Sequence, residues 1–114
     1  EELWLGTDNQ GLVSFDLRMN MTIEIYLATN SGLGSNRIQA LIVETAGPYR
    51  GDVWAGTDFG ISRYIRSRGV WIHMNNDEGL EGRLDTETLA IDTEQGRRAI
   101  YGGGPAGIVY SRVP

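Results

Sequence analysis

One eleven-residue pattern occurs three times in the chain and limits its fold more than any other feature of the sequence. The clearest copy, residues 54–64, begins Trp-Ala-Gly-Thr and continues through Asp-Phe-Gly into strand-forming residues. An earlier copy begins at Trp4 and a degraded one includes Tyr101, so the spacings are 50 residues (54 − 4) and 47 residues (101 − 54). A recurrence of this length, made of strands, indicates a propeller or another repeat array.

Each copy predicts two short strands joined by a tight turn. Val53, Trp54 and Thr57 suit a pleated strand, and residues 58–60, Asp-Phe-Gly, have the chemistry of a turn. Residues 22–27 alternate apolar and polar side chains, as a half-exposed strand does. No stretch sustains a helical apolar period with caps, so the chain is predicted to be all-β.

The composition excludes several classes of function. With a net charge of −5 and a pI near 4.7, the chain lacks the basic face that nucleic-acid binding requires. It contains no Cys and one His, so thiolate sites are absent and a His-based metal centre is excluded by count. No apolar run approaches the roughly 20 residues of a membrane span. The sequence therefore predicts no metal, no cofactor, no nucleic-acid partner and no membrane insertion by this segment.

A fixed order of features occurs in both well-preserved units. It consists of a strand ending in Asp or Glu, a turn, an apolar-Trp-apolar-Gly-Thr strand, a Gly-apolar strand and a Gly-Leu loop. The Trp-x-Gly-Thr part stands at residues 4–7 and 54–57. In this order the chain resembles the two-component regulator propeller repeat family of bacterial sensor proteins. The resemblance spans nearly the whole chain, although the third copy has Tyr101 in place of Trp.

The resemblance implies an all-β fold of β-propeller blades, each with four antiparallel strands. With strands named A to D from the inside outward, residues 1–36 hold B-C-D of a first blade, residues 37–83 a complete second blade and residues 84–114 A-B-C of a third. That is about two and a half blades, whereas a propeller closes with roughly four to eight. We therefore expect further propeller blades, from a parent chain or from partner protein chains, to cover the exposed faces.

The Trp-x-Gly-Thr residues are interpreted as structural rather than as a binding site. The Trp ring is expected to pack between neighbouring blades, the glycine to permit close approach and the threonine to favour the strand. The residues of this signature are Trp4, Gly6, Thr7, Trp54, Gly56 and Thr57.

Signatures of catalysis are weak. The G-x-G-x-x-G match at residues 102–107 precedes a predicted strand instead of the helix that a dinucleotide site needs. For His73, the one histidine of the chain, a structural role is the simpler interpretation. Residues 75–78, Asn-Asn-Asp-Glu, offer oxygen atoms but lack the spaced carboxylates of an EF-hand loop. Because no acid–base pair can be argued, the chain is predicted not to be an enzyme.

The loops that join strand D to strand A and strand B to strand C emerge on one face of a propeller. In this chain they carry polar side chains and one exposed aromatic ring, a composition that suits a carbohydrate or a peptide. The candidate ligand-binding residues on these loops are Asp8, Asn9, Asn30, Asn36, Arg37, Asp58, Phe59, Asp77, Glu78 and Arg83.

The resemblance implies a non-catalytic recognition module in a periplasmic or extracellular sensor domain of a two-component-type signalling protein. Its ligand would be a small molecule, often a glycan fragment. Two alternatives stay open. One is a scaffold subunit that mediates protein–protein interaction in a larger assembly. The other is an enzyme on a propeller fold, for which no acid–base constellation is visible, and a fold alone does not imply a function.

Overall fold

The computed structural model describes residues 2–74, 81–82, 85–92, 98–105 and 107–112. Within these ranges every regular element is a β-strand. In chain order the strands are β1 (Glu2–Gly6), β2 (Leu12–Asp16), β3 (Met21–Tyr26), β4 (Ile38–Val43), β5 (Val53–Thr57), β6 (Gly60–Ile65), β7 (Val70–Met74), β8 (Glu81–Gly82), β9 (Thr88–Asp92), β10 (Ala99–Gly104) and β11 (Gly107–Arg112). The prediction of an all-β chain is confirmed.

The described strands form three antiparallel sheets. Sheet 1 has the order β1-β2-β3, sheet 2 the order β4-β5-β6-β7 and sheet 3 the order β9-β10-β11-β8. Sheets 1 and 2 join strands that are consecutive in the chain, as antiparallel hairpin connections allow. Three small sheets of three or four strands agree with the predicted fold class, a partial propeller of four-stranded blades.

Sheet 3 contains a short strand where the sequence predicts a loop. This strand, β8, pairs Gly82 with Val109 and Glu81 with Tyr110 on β11. It takes the outer position of sheet 3, although it precedes the other three strands of that sheet in the chain. The division of the chain into blades at residues 1–36, 37–83 and 84–114 stays a prediction.

The threonine of Trp-x-Gly-Thr closes the turn that follows its strand. Thr7 Oγ1 donates a hydrogen bond to Gly11 O (2.7 Å), and Thr57 Oγ1 donates one to Gly60 O (2.9 Å). Each hydroxyl also accepts a backbone amide of the same turn. Gly11 and Gly60 have φ values of 77° and 115°, which residues with a Cβ rarely adopt. The motif therefore specifies a turn as well as a strand.

The glycine of the same motif brings the following sheet close. A Cβ on Gly6 would lie 2.5 Å from Ile38 Cγ2, and a Cβ on Gly56 would lie 2.9 Å from Thr86 Cγ2. In both places the amide of the contacting residue donates a 2.8 Å hydrogen bond to the carbonyl of the motif's threonine. The same contact thus joins sheet 1 to sheet 2 and sheet 2 to sheet 3.

Trp4 of sheet 1 lies against sheet 2 in a cluster of aromatic rings. Its ring centroid is 5.9 Å from that of Tyr26, 5.4 Å from Tyr64 and 6.3 Å from Trp71. The stacked contact with Tyr26, the tilted contact with Tyr64 and the edge-on contact with Trp71 add to the stabilisation that burial provides. Burial, and next a hydrogen bond with Tyr64, raises the pKa of the Tyr26 hydroxyl. The buried residues around the cluster are Leu12, Leu33, Ile38, Val53 and Ala55.

Trp54 occupies the equivalent place between sheets 2 and 3. It is fully buried in one cluster with Ile61 and Ile100. Its indole Nε1 donates a hydrogen bond to Glu44 Oε2 (2.9 Å), and Arg98 Nη2 donates to the same oxygen (2.5 Å). Because Glu44 directly follows β4 and Arg98 directly precedes β10, one carboxylate links two strands of sheet 2 to sheet 3.

A second buried ion pair lies beside Trp54. Arg63 Nε and Nη2 donate hydrogen bonds to Asp52 Oδ2 at 3.0 Å and 2.7 Å. The guanidinium carbon is 4.9 Å from a ring centroid of Trp54. Only 9% of the Arg63 side chain and 4% of the Asp52 side chain are exposed. The pairing and the ring contact offset the cost of removing both charges from water.

Sheets 1 and 3 each leave apolar side chains exposed on the face turned away from sheet 2. Sheet 1 exposes four aliphatic side chains, and sheet 3 exposes a tyrosine and an isoleucine. These residues are Leu3, Leu5, Ile23 and Ile25, then Tyr101 and Ile108. Contiguous exposed apolar surface is uncommon on monomeric soluble proteins. Among the described residues no helix is long and apolar enough to cross a membrane.

We expect Thr57→Val to lower the free energy of unfolding by about 1–3 kcal/mol, because the nearly isosteric side chain leaves a buried carbonyl and amide without the hydroxyl. Urea denaturation measures this change. Thr22→Val is the matched control, since Thr22 is exposed on β3, and it should change the free energy of unfolding by less than about 0.5 kcal/mol. Equal losses in both variants would contradict the role of the Thr57 hydroxyl.

Glu44→Gln should destabilise the chain by about 3–5 kcal/mol. The amide still offers an acceptor to Trp54 Nε1, but the negative charge that faces the buried Arg98 is lost. Denaturant unfolding, followed by near-ultraviolet circular dichroism of the Trp residues, measures the effect. Glu24→Gln on the exposed strand β3 is the control and should have little effect. An unchanged Glu44→Gln protein would mean that the carboxylate does not link the sheets.

Candidate functional site

Three backbone segments meet at one end of sheets 1 and 2. Two are the turns at residues 7–11 and 57–60, and the third is the link between the sheets, residues 27–37. The amide of Gly11 donates a 2.9 Å hydrogen bond to Asn36 O, which fixes the link against the first turn. The amide of Gly34 donates to Ser62 Oγ (3.1 Å), which fixes it against sheet 2. The loops predicted to lie together are therefore close in space here.

The link is shaped by its own amide side chains. Asn30 Oδ1 accepts a hydrogen bond from Leu27 N (2.8 Å), and Asn36 Oδ1 accepts one from Ala28 N (2.7 Å). Such local side-chain-to-backbone bonds replace the ladder bonds of a strand, so this segment is a defined loop. As a result, both side-chain oxygens are occupied within the loop.

A polar cleft of about 500 Å³ opens where the three segments meet. We call it the upper cleft. It contains five of the ten candidate ligand-binding residues, together with one serine that the sequence analysis did not name. Its lining residues are Asp8, Asn9, Ser35, Asn36, Arg37 and Asp58. Every one of them carries a hydrogen-bonding side chain, which suits a polar ligand.

Two hydrogen bonds order the charged groups of the upper cleft. Arg37 Nε donates to Asp8 Oδ1 (3.1 Å), and Ser35 Oγ donates to Asp58 Oδ1 (2.6 Å). The hydrogen bond with Asp8, and next the attraction of its charge, raises the pKa of the Arg37 guanidinium. About half of the Arg37 side chain and 84% of the Asp8 side chain are exposed. Carboxylate acceptors and a guanidinium donor thus face solvent together.

Ser35 is the cleft residue that the sequence analysis missed. Its Oγ accepts a hydrogen bond from Arg37 N (3.1 Å) while its hydroxyl donates to Asp58. A serine in a polar loop is a local signal for this turn, because its hydroxyl can accept the backbone amide two residues later. Its contact with Asp58, 23 residues away in the chain, has no local signal.

Of the other five candidates, the two that the structure describes, Asn30 and Phe59, do not line the upper cleft. Asn30 lines a different cavity, between the outer strands β3 and β7. Phe59 is half-exposed and stacks on His73, with ring centroids 6.0 Å apart and planes 6° apart. Asp77, Glu78 and Arg83 lie outside the described residues.

His73 holds the turn of sheet 2. Its Nε2 lies 2.7 Å from Phe59 O and its Nδ1 lies 2.7 Å from Ser62 Oγ. Because a carbonyl oxygen only accepts, Nε2 of the neutral ring carries the hydrogen and Nδ1 accepts from the Ser62 hydroxyl. Within the described ranges, no group of three or more His, Cys, Asp and Glu side chains could hold a metal ion.

No protein-family model matches the chain, and no curated protein matches it in sequence. Solved structures do match its fold. One is described as the extracellular domain of a hybrid two-component system from B. thetaiotaomicron, with a TM-score of 0.71, 18% sequence identity and 90% of this chain covered. Another is described as the extracellular domain of a one-component system from the same organism, with a TM-score of 0.63, 26% identity and 90% coverage.

This chain spans only 14% and 13% of the length of those two proteins. At 18% identity, the likeness to the first shows the fold alone. Both neighbours are extracellular domains of regulatory systems, which agrees in broad terms with the resemblance to sensor proteins seen in the sequence. The likeness extends over nearly all of this chain, so it includes the sheets that carry the upper cleft.

We expect Arg37→Gln and Asp8→Asn to leave the melting temperature unchanged, because their ion pair is exposed and water already solvates both groups. Asp52→Asn supplies the contrast within the same chain. It breaks the buried pair with Arg63 and should cost about 3–5 kcal/mol of unfolding free energy. Thermal unfolding at low and high salt measures all three. A large loss in Arg37→Gln would mean that the upper cleft is a structural feature and not a free surface.

Proposed function

We propose that this chain is part of a periplasmic or extracellular β-propeller of the two-component regulator repeat type. In this proposal it acts as a non-catalytic recognition module, and the upper cleft binds a small polar ligand such as a glycan fragment. The observation that carries the proposal is the upper cleft itself. Exposed groups from both turns and from the link between them converge on one open cavity.

The chemistry of the upper cleft favours a ligand rich in hydroxyl groups. Asp8 and Asp58 offer carboxylate acceptors, Arg37 offers guanidinium donors and Asn9 offers both. Sugar hydroxyls donate and accept, so each can meet a carboxylate and a donor at once. The charged groups belong to different segments of a rigid scaffold, which is how loops commonly build a recognition surface.

A non-catalytic role is favoured by how the described polar groups are used. Both ring nitrogens of His73 are occupied, by Ser62 Oγ and by the Phe59 carbonyl. The His73–Ser62 pair therefore serves the turn of sheet 2, and no carboxylate among the described residues is hydrogen-bonded to His73 as a third member. The two carboxylates of the upper cleft, Asp8 and Asp58, are exposed, and each is hydrogen-bonded to a neighbouring side chain.

The propeller and its location are inferred from the repeat contacts and the neighbours. Each described sheet meets the next through the same glycine contact and threonine carbonyl, and such a contact can continue into further blades. The structural neighbours are extracellular domains, which favours an extracytoplasmic place for this chain.

A scaffold function is the second candidate, because a specific surface supports it. The exposed aliphatic face of sheet 1 could hold another protein instead of another blade of the same propeller. In that case a protein partner, and no small ligand, would be bound. The two candidates predict different binding sites, one on the upper cleft and one on the sheet face.

A ligand screen by thermal shift tests the proposed function. We expect one class in a panel of neutral and acidic oligosaccharides and short peptides to raise the melting temperature. Arg37→Gln and Asp58→Asn should each abolish that rise. Arg18→Gln, an exposed charge change away from the cleft, should preserve it. Binding that survives the cleft variants, or no response to any member of the panel, would contradict a recognition role for the upper cleft.

A further inference from the structure

Three connections lie at the end of sheets 1 and 2 opposite the upper cleft, because consecutive antiparallel strands reverse direction. They are residues 17–20, 44–52 and 66–69. Arg66 joins them into one surface. Its amide donates a hydrogen bond to Asp52 Oδ1 (3.1 Å), and its Nη1 donates one to Glu2 Oε1 (2.6 Å). Glu2 in turn lies opposite Asp16, the residue before the first connection, in the register of β1 and β2. We call this surface the lower end.

The two four-residue turns of the lower end share a backbone feature but differ in their side chains. The last residue of each turn has a positive φ, 55° at Asn20 and 65° at Gly69. The first turn reads Leu-Arg-Met-Asn and the second reads Arg-Ser-Arg-Gly. The first and third positions are therefore apolar in sheet 1, where they are Leu17 and Met19, and arginine in sheet 2.

The apolar side chains of the first turn lie in solvent. Leu17 is 48% exposed and Met19 is 67% exposed. The turn is nevertheless ordered, because Asp16 Oδ1 accepts hydrogen bonds from the amides of Arg18 (2.9 Å) and Met19 (3.2 Å). Two apolar side chains at the tip of an ordered turn would gain free energy on contact with an apolar medium.

The exposed charges of the lower end are all positive in the part of the chain that the structure describes. They come from all three connections and are Arg18, Arg50, Arg66 and Arg68. The described carboxylates at this end are buried or half-buried. Those of Asp52 and Glu44 are already paired with arginines. A chain with a net charge of −5 thus presents a positive surface at the end opposite its acidic upper cleft.

We propose that the lower end docks on an anionic lipid surface. The exposed arginines contact the headgroups, and Leu17 and Met19 enter the boundary between headgroups and acyl chains. Positive charge and exposed apolar side chains at the same end of the molecule suit such a surface. The carboxylates of the upper cleft then face away from the lipid. This contact is interfacial and needs no membrane span.

A second copy of the chain is the alternative partner, because its acidic upper cleft is opposite in charge to the lower end. Leu17 and Met19 favour lipid over this alternative. Against a second copy they would meet the upper cleft, where every lining residue has a polar side chain. A lipid surface instead offers anionic headgroups and acyl chains at one boundary. The inference goes beyond the proposed function and is independent of ligand binding.

Co-sedimentation with vesicles tests the role of charge. The full chain should bind vesicles of phosphatidylcholine and phosphatidylglycerol, more weakly at high salt, and should not bind vesicles of phosphatidylcholine alone. Arg18→Gln and Arg68→Gln should each lower the partition coefficient by about fivefold, as expected for one cation near an anionic surface. Arg37→Gln is the matched control, because it makes the same change at the opposite end, and it should leave binding unchanged. No preference for the anionic vesicles, or an equal loss in all three variants, would overturn the proposal.

The apolar contact is tested separately. Met19→Ser should weaken binding to the anionic vesicles by roughly fivefold, because the side chain leaves water on docking. A surface that only attracts anions would be unaffected. Met19→Trp adds a spectroscopic signature, since its fluorescence should shift to shorter wavelength and be quenched by brominated acyl chains. Asn9→Trp, in the turn at the opposite end, is the control and should show neither change. The same response in both Trp variants, or in neither, would overturn the predicted orientation.

Sedimentation velocity without lipid tests the alternative partner. Self-association that Arg18→Gln abolishes, together with no binding to anionic vesicles, would assign the lower end to a second copy and overturn the lipid surface. A monomer that binds anionic vesicles would support the proposal. The lower end and the upper cleft can succeed or fail separately. Arg18→Gln should weaken vesicle binding and keep the ligand response of the upper cleft, whereas Arg37→Gln should do the reverse.

Discussion

The close approach of neighbouring sheets at the glycine of Trp-x-Gly-Thr is the constraint on which the rest of the structure depends. Only a residue without a Cβ lets Ile38 lie against Gly6, and the same holds for Thr86 against Gly56. The contact places the first residues of each new sheet within hydrogen-bonding distance of the preceding threonine carbonyl. It also brings the Trp ring two residues earlier onto the next sheet, where burial of a large apolar surface stabilises the pair.

Hydrogen bonds and an ion pair add to this apolar contact between sheets 2 and 3. Between sheets 2 and 3, Trp54, Glu44 and Arg98 share one carboxylate oxygen, so dehydration of each polar group is offset by another. Between sheets 1 and 2, Trp4 instead contacts the aromatic rings of Tyr26, Tyr64 and Trp71. One repeat motif therefore supports two chemically different interfaces, because the residues around the Trp differ while the backbone contact stays the same.

The sequence predicts the features that repeat and misses those that depend on a single pairing. Strands β1 to β7 follow from the Trp-x-Gly-Thr copies and from periodicity, because local propensity and burial agree in them. The two-residue strand β8 has no local signal, since it forms only through pairing with β11. Five cleft residues were predictable because both turns and the link carry them to one end. The stacking of Phe59 on His73 was not, because it joins a turn to a strand 14 residues away.

The contact between Gly6 of sheet 1 and Ile38 of sheet 2 also determines where the upper cleft lies. Asp8 belongs to the turn of sheet 1, Asp58 to the turn of sheet 2, and Arg37 to the residues that join them, directly before Ile38. Their spacing is therefore set by the Gly6–Ile38 approach rather than by any one loop. A ligand that contacts both carboxylates binds only the docked arrangement of the two sheets, and by linkage it stabilises that arrangement. In a chain of repeated sheets, the binding of a ligand at such a junction would be coupled to the packing of the neighbouring sheets.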